Sequence, residues 1–389
     1  MTAIRPHSRE MIERLIGFDT TSAKSNLEFI DFAQSYLEGH GARCRRIANP
    51  EGTKANLFAS LGPEAPGGVV LSGHSDVVPV DGQSWDSDPF TLVERDGRLY
   101  GRGTADMKSF IAVAMALVPE FQAQPLRHPL HLALSYDEEV GCTGVGGMID
   151  DIVANLPRPE MVIVGEPTEM KIVNGHKGCY VFETHLEGLA AHSSQPHRGG
   201  NAIFAAGRLI AYLADLAAQK RAEAPADSPF DPPYTTFNLG LIEGGKALNI
   251  VAQDCSFGWE FRPIPSEDTA AIIEGFEAYA RDEVLPALRE FAPEAGIETR
   301  HLSTVLPLMP VENNPVETLV RRLSGSNAAP GVVSFGTEGG LFQAAGMDAV
   351  VFGPGSIDQA HKPNEFIAVD QVAACEEFIL KLRDWAVAG

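Results

Sequence analysis

Two histidines and several carboxylates in this chain each follow a short apolar run. His74 and Asp76 come after GGVVLSG, Asp137, Glu138 and Glu139 after HLALSY, Glu166 after MVIVG, and His361 after AVVFGPGSIDQA. Asp106 lies in GRGTADMK, where a helical pattern begins near Ala105. Carboxylates gathered within a few ångströms repel one another, and one of them takes a proton unless a cation sits between them. Imidazole with carboxylate and no thiolate suits zinc, cobalt or manganese. His74, Asp106, Glu139 or its neighbour, Glu166 and His361 exceed what one tetrahedral zinc accepts. They suit two metals sharing a bridging carboxylate, with water at an open position. Neighbours on an extended segment point to opposite sides. One of Glu138 and Glu139 can therefore bind metal while the other stays free to take a proton from water. His74 and Asp76 are two apart and share a side if extended, so Asp76 is a candidate to orient the imidazole and raise its basicity.

These residues can act together only if the elements before them end at one place. Residues 68–72, 131–136, 161–164 and 349–352 read as buried strands, with helical patterns between them such as 105–121. Continuous apolar strands alternating with helices predict an α/β sheet covered on both faces. In such open sheets, ligands bind outside the carboxyl ends of the strands. A lone histidine or glutamate at a strand end is ordinarily a solvated loop residue; the joint placement is what argues for chemistry. Earlier, residues 8–18 and 26–37 show helical spacing, with Ser8 as an expected N-cap. From about 178 to 306 the pattern changes to alternation, as in YVFETHL and CSFGWEF. Alternation predicts a sheet with one wet face, which helices over 201–216 and 268–291 would cover on the other. Residues 224–234, rich in proline, read as a surface loop. The expected organisation is an inserted α+β domain over residues 179–306, inside a discontinuous α/β domain of residues 1–178 and 307–389.

Length and composition agree with this. At about 150 residues per domain, 389 residues imply two to three domains. The longest wholly apolar run, residues 110–118, falls short of the roughly 20 residues that cross a bilayer. No apolar secretory segment opens the chain. Thirty basic against 52 acidic residues leave a net charge of −22, which disfavours nucleic acid and anionic membranes as partners. The five cysteines are scattered, with no C-x-x-C pair, which fits a reducing cytoplasm better than a disulfide framework. A rival enzyme class comes from GHSDV at residues 73–77, close to the G-x-S-x-G serine elbow. Its last glycine is missing, and VPVDG after it does not read as a helix.

SGHSDVVPVDG, GRGTADMK, SYDEEVGCTG, VGEPT and GPGSIDQAHKPNEF, in this order and nearly end to end, resemble the metal-dependent amidohydrolases and peptidases that include acetylornithine deacetylase and succinyl-diaminopimelate desuccinylase. QAHKPNEF and VSFGTEGGLF look most like the acetylornithine deacetylases. The resemblance implies a zinc-peptidase-like catalytic domain, its mixed sheet flanked by helices, with the inserted domain as lid and homodimer surface. It implies hydrolysis of a small acyl-amino acid, N2-acetyl-L-ornithine first, with succinyl-diaminopimelate or a peptide as the sister substrates. Two divalent ions are implied, zinc first, with cobalt or manganese as the others. His74 and Glu166 would hold one ion, Glu139 and His361 the other, and Asp106 would bridge them. Asp76 would orient His74, and Glu138 would be the general base. The Asp106–Met107 peptide would be cis. In the inserted domain, His192 would stabilise the oxyanion and Asn249 would be the lid asparagine. Arg262 would hold the substrate carboxylate, and Gly336 and Thr337 would close on substrate. A non-catalytic, metal-bearing scaffold is the alternative outside enzymology; an intact Glu138 argues against it.

Overall fold

The computed structural model describes residues 4–388, so the outermost residues of the expected catalytic domain lie outside the described ones. The first helix, α1 (Pro6–Ile16), buries Met11, Ile12, Leu15 and Ile16. It begins at Pro6, whose missing N–H costs nothing in a first turn. Ser8, expected as the cap, is therefore a buried residue inside the helix. The second helix, α2 (Leu27–Gly39), follows Asn26. The Asn26 side chain does not cap it, but exchanges hydrogen bonds with the Ala55 backbone and donates to Ser75 Oγ.

Then come β1 (Arg43–Ala48), β2 (Ala55–Leu61), β3 (Val69–His74), β4 (Val93–Arg95) and β5 (Arg98–Tyr100). Next are α3 (Lys108–Ala116), α4 (Val118–Phe121), β6 (Leu130–Ser135), α5 (Gly146–Asn155), β7 (Met161–Val164) and β8 (Val173–His176). The unbroken apolar run at 110–118 is explained by α3, which is buried along its whole length. That helix starts at Lys108 and not near Ala105. The Gly103, Ala105 and Asp106 amides turn toward Glu365 instead, and the Asp106–Met107 peptide is cis.

The chain continues through β9 (Cys179–Glu187), α6 (Ala202–Ala222), β10 (Thr236–Gly244), β11 (Asp254–Arg262), α7 (Thr269–Tyr279), α8 (Leu285–Arg289) and β12 (Gly296–Val305). The single helix expected over 268–291 is interrupted by a π turn at Ala280–Val284. Pro286 lies two residues past its end; lacking an N–H and crowding the carbonyl four residues back, proline breaks a regular α ladder. The last elements are α9 (Pro315–Ser324), β13 (Gly331–Val333), α10 (Gly339–Ala344), β14 (Asp348–Val351), β15 (Phe366–Ala368) and α11 (Val369–Ala388).

These elements form two compact units. One comprises the chain through Gly175, Leu308–Val332 and the residues from Thr337 on; the other comprises His176–Pro307 and Val333–Gly336. The first is built on an eight-stranded mixed sheet ordered β1-β2-β6-β3-β7-β14-β8-β13. Its centre, β6, β3, β7 and β14, is parallel, and every residue of β3, β6 and β7 is buried, as a sheet covered on both faces requires. The second unit has an antiparallel sheet ordered β10-β11-β9-β12. The alternation in CSFGWEF is real there: Cys255, Phe257, Trp259 and Phe261 join one apolar cluster with Phe182, Leu209 and Phe276. By length and mean hydropathy alone, α6 would reach across a bilayer, although no wholly apolar run in it does so. Its stripe of Ala202, Ala205, Ala206, Leu209 and Leu213 is buried in that same cluster.

Candidate active site

Four parallel strands end on one side of the first unit's sheet, and each end carries a polar residue of interest. His74 is the last residue of β3; Glu138 and Glu139 lie beyond β6; Glu166 lies two past β7; His361 lies ten past β14. The approach to Glu166 runs through Gly165, where any Cβ would overlap the Phe110 ring. His361 has left-handed backbone, φ 63°, and so does Asp137, φ 57°. Histidine and aspartate are among the non-glycine residues that most often adopt it.

The side chains converge on Asp106. Its Oδ1 lies 3.0 Å from His74 Nε2, and its Oδ2 lies 3.3 Å from His361 Nε2. His74 Nε2 also lies 3.5 Å from Glu166 Oε1, and His361 Nε2 lies 2.9 Å from Glu139 Oε2. One carboxylate thus faces two imidazoles, each with its own second carboxylate. His74, Asp106 and Glu139 place a ligand atom each within 4.8 Å of one another, and so do His74, Glu138 and Glu166. Two donors about 2.1 Å from one zinc lie no more than about 4 Å apart, so modest inward movement completes either set.

On the far side of its ring, His74 Nδ1 donates to the backbone carbonyl of Asp76 at 2.9 Å, which leaves Nε2 as the free ligand atom. The Asp76 carboxylate is 3.6 Å from the same nitrogen. It accepts from Ser22 Oγ at 2.7 Å and from the amides of Glu138 and Glu139 at 3.2 and 3.3 Å. Asp76 therefore holds the base of the Glu138–Glu139 segment as well as the imidazole.

Burial and mutual repulsion set the ionisation of this acidic cluster. Burial raises the pKa of Glu138 and Glu166 well above the carboxylate range, and neighbouring carboxylates add to it. Burial, with Asp106 nearby, pushes Glu139 up to about 7. Hydrogen bonds that His361 donates to Asp106 and Glu139 raise its pKa to about 10. Burial opposes the His74 charge, but Asp106 and Asp76 outweigh it, so its pKa is raised. Positive charge placed among these carboxylates, as divalent cations would supply, would favour their ionised forms.

Of the other expected residues, Thr337 belongs to the first unit, where its Oγ1 accepts from the Gly339 amide at 3.1 Å. His192, Asn249, Arg262 and Gly336 belong to the second. There the Ser193 amide donates to the Asn249 carbonyl at 3.0 Å, and His192 pairs with Ile250 in an isolated bridge. Arg262 ends β11 with its Nε 3.0 Å from Glu260 Oε1. A Cβ at Gly336 would press on Val305. Ser75, the nucleophile of the serine-elbow reading, is fully buried; its Oγ donates to the Ser135 carbonyl and accepts from Asn26, with no imidazole partner among the described residues. Sequence reasoning left two buried acids unassigned. Glu338 heads α10 under the site, accepting from Ser72 Oγ at 3.3 Å. Glu365 binds the Asp106 loop. Both lie in the quoted motifs, but their apolar or glycine-rich surroundings carry no spacing that marks a role.

A mixed sheet gathering two imidazoles and buried carboxylates at the carboxyl ends of its parallel strands, with Ser75 buried and lacking an imidazole partner among the described residues, defines a hydrolase of the metal-binding kind. Residues 70–383 match the model of peptidase family M20/M25/M40. Acetylornithine deacetylase of Myxococcus xanthus is 37% identical over 394 residues, covering 98% of each chain. Among solved structures, the M20 family metallo-carboxypeptidase Sso-CP2 of Sulfolobus solfataricus superposes with a TM-score of 0.76 at 18% identity, covering 99% of this chain and 100% of the other. The Bacillus subtilis YXEP protein, described as a dinuclear metal binding peptidase, superposes with a TM-score of 0.65 at 14% identity, covering 98% and 99%. The chain belongs to peptidase family M20/M25/M40.

Proposed function

We propose that this chain hydrolyses the amide of an N-acyl amino acid, and that N2-acetyl-L-ornithine, cleaved to L-ornithine and acetate, is its substrate. The observation that carries the proposal is the pair of imidazole–carboxylate sets facing the two oxygens of Asp106. Identity to an acetylornithine deacetylase over 98% of both chains supports the narrower substrate assignment.

The donor set fits two divalent cations. His74 and Glu166 would hold one, Glu139 and His361 the other, with Asp106 shared; zinc is our first assignment, cobalt and manganese the alternatives. Bound there, the ions would polarise the acyl carbonyl and bring the pKa of water toward about 7. Glu138 takes the proton from the attacking water and returns it to the departing amine. Glu139 is engaged by His361 at 2.9 Å, which leaves Glu138 as the carboxylate able to carry that proton between the two steps. Asp76 keeps His74 Nε2 turned inward. His192 donates to the oxyanion as the acyl carbon becomes tetrahedral. Arg262 binds the α-carboxylate through its planar fork, while Asn249, Gly336 and Thr337 close around the substrate. Residues 179–306 act as lid and as the surface of a homodimer; the edge strand β10, with Leu241 and Ile242 exposed, supports this. Five free thiols support a cytoplasmic enzyme.

A panel of N2-acetyl-L-ornithine, succinyl-diaminopimelate and dipeptides, assayed with bound metal quantified on the same samples, tests the proposal. Acetylornithine is expected to be cleaved with the highest kcat/KM by protein carrying two metal equivalents. Preference for succinyl-diaminopimelate or a dipeptide would move the substrate assignment to a sister activity. Metal uptake without hydrolysis of any of them would leave a scaffold.

A further inference from the structure

We infer that Glu365 is a positioning residue which, through Arg102 and Gln83, joins the loop bearing Asp106 to the loop bearing His361 and so sets the affinity of the second metal position. The inference rests on the dinuclear reading above and names the residues that build half of it.

Glu365 and Arg102 are each 1% exposed and form an ion pair at 2.7 Å. A buried carboxylate of this kind needs its lone pairs filled, and here they are filled by the metal loop. Oε1 accepts from the Ala105 amide at 2.8 Å and the Asp106 amide at 3.1 Å; Oε2 accepts from the Gly103 amide at 3.0 Å as well as from Arg102. The Glu365 carbonyl accepts in turn from the Gly101 amide. One side chain therefore fixes the backbone on which Asp106 is mounted.

The same network reaches His361. Arg102 Nη2 donates to Gln83 Oε1 at 2.7 Å, and Gln83 Nε2 donates to the His361 carbonyl at 3.0 Å. His361 and Asn364 both hold left-handed backbone, with φ 63° and 56°, so this stretch follows an irregular loop and not a ladder. His74 ends β3 and Glu166 follows β7, neighbours in a parallel ladder, so their spacing is set by the sheet. Asp106 and His361 are both on loops, and nothing in a ladder sets theirs. The ion held by His361 and Glu139 should therefore depend on the clasp more than the ion held by His74 and Glu166.

The test is calorimetric titration of Zn2+ into the metal-stripped full chain, comparing wild type with Glu365→Gln and Gln83→Ala. Glu365→Gln keeps one neutral acceptor in the same shape. Gln83 is only half-buried, so its loss leaves the fold intact. In Glu365→Gln, one of two equivalents is expected to lose about 10–100-fold in affinity, the usual range for partners behind a metal ligand, while the other changes several-fold less. Gln83→Ala should show a smaller loss confined to the same equivalent. Wild-type affinities for both equivalents in both variants would overturn the inference, as would equal loss at both positions. Uptake of fewer than two equivalents by the wild type would instead overturn the dinuclear reading itself, and this inference with it.

Discussion

At the scale of single residues, Glu138 and Glu139 show how far adjacency in sequence is from equivalence in chemistry. Glu139 meets His361 at 2.9 Å, whereas the hydrogen bond to the Glu138 carboxylate among the described residues comes from the Cys142 thiol at 3.5 Å. The separation was expected from alternation along an extended segment, but a turn produces it: Asp137 is left-handed, φ 57°, and the Glu138 carbonyl accepts from the Gly141 and Cys142 amides. Glu138→Ala should lower kcat by roughly 10²–10⁴ while metal content, measured by elemental analysis, stays at the wild-type level. Turnover at the wild-type rate would remove Glu138 from the role of base. The candidate site was legible because His74, Glu138, Glu139, Glu166 and His361 follow apolar runs that form buried strands. Glu365 and Glu338 were not legible in the same way. Each acts through backbone amides or serine hydroxyls far away in sequence, and a hydrogen bond to a distant amide leaves no periodic trace.

At the scale of elements, the four strands that aim the ligands were readable because burial on both faces makes their sequences continuously apolar. Helix limits were less so. Ser8 resembles a cap, but Pro6 starts α1. The turn of the Gly103, Ala105 and Asp106 amides toward Glu365 delays α3, and Pro286 with the π turn divides the helix expected over 268–291. The strands also carry a titration of their own. His131 sits within β6, hydrogen-bonded to Ser60 Oγ at 2.8 Å and stacked on Phe58, and burial, with Arg43 nearby, lowers its pKa to about 4. The unfolded chain takes up this proton below about pH 6.5, the folded chain only near pH 4, so the contribution to stability is full above pH 6.5 and is lost as pH falls. Between pH 7 and 5 it amounts to roughly 2 kcal/mol. Urea unfolding of His131→Phe at both pH values should show a pH-dependent loss smaller by about that amount; an unchanged loss would mean the histidine is already charged in the fold.

At the scale of the whole molecule, the two apolar clusters share no residue, and the candidate metal ligands all belong to the first unit. Ligands that bind only the folded form stabilise by about 4 kcal/mol at a thousandfold excess over Kd. Scanning calorimetry should therefore show a chelator lowering the transition of the first unit and leaving that of the second in place; a scan unmoved by chelator would contradict cation binding at this centre. The first unit is also assembled from widely separated stretches of chain: His74 comes from its opening third, while β14, His361 and Glu365 come after the whole excursion through β9–β12. During synthesis the chain emerges from its amino end. Until residue 361 has left the ribosome, the acids at the ends of β3, β6 and β7 have no second imidazole and no clasp. A message truncated anywhere before that codon would yield a polypeptide that contains most of the candidate ligands and lacks His361, so no unfinished copy could assemble the full set.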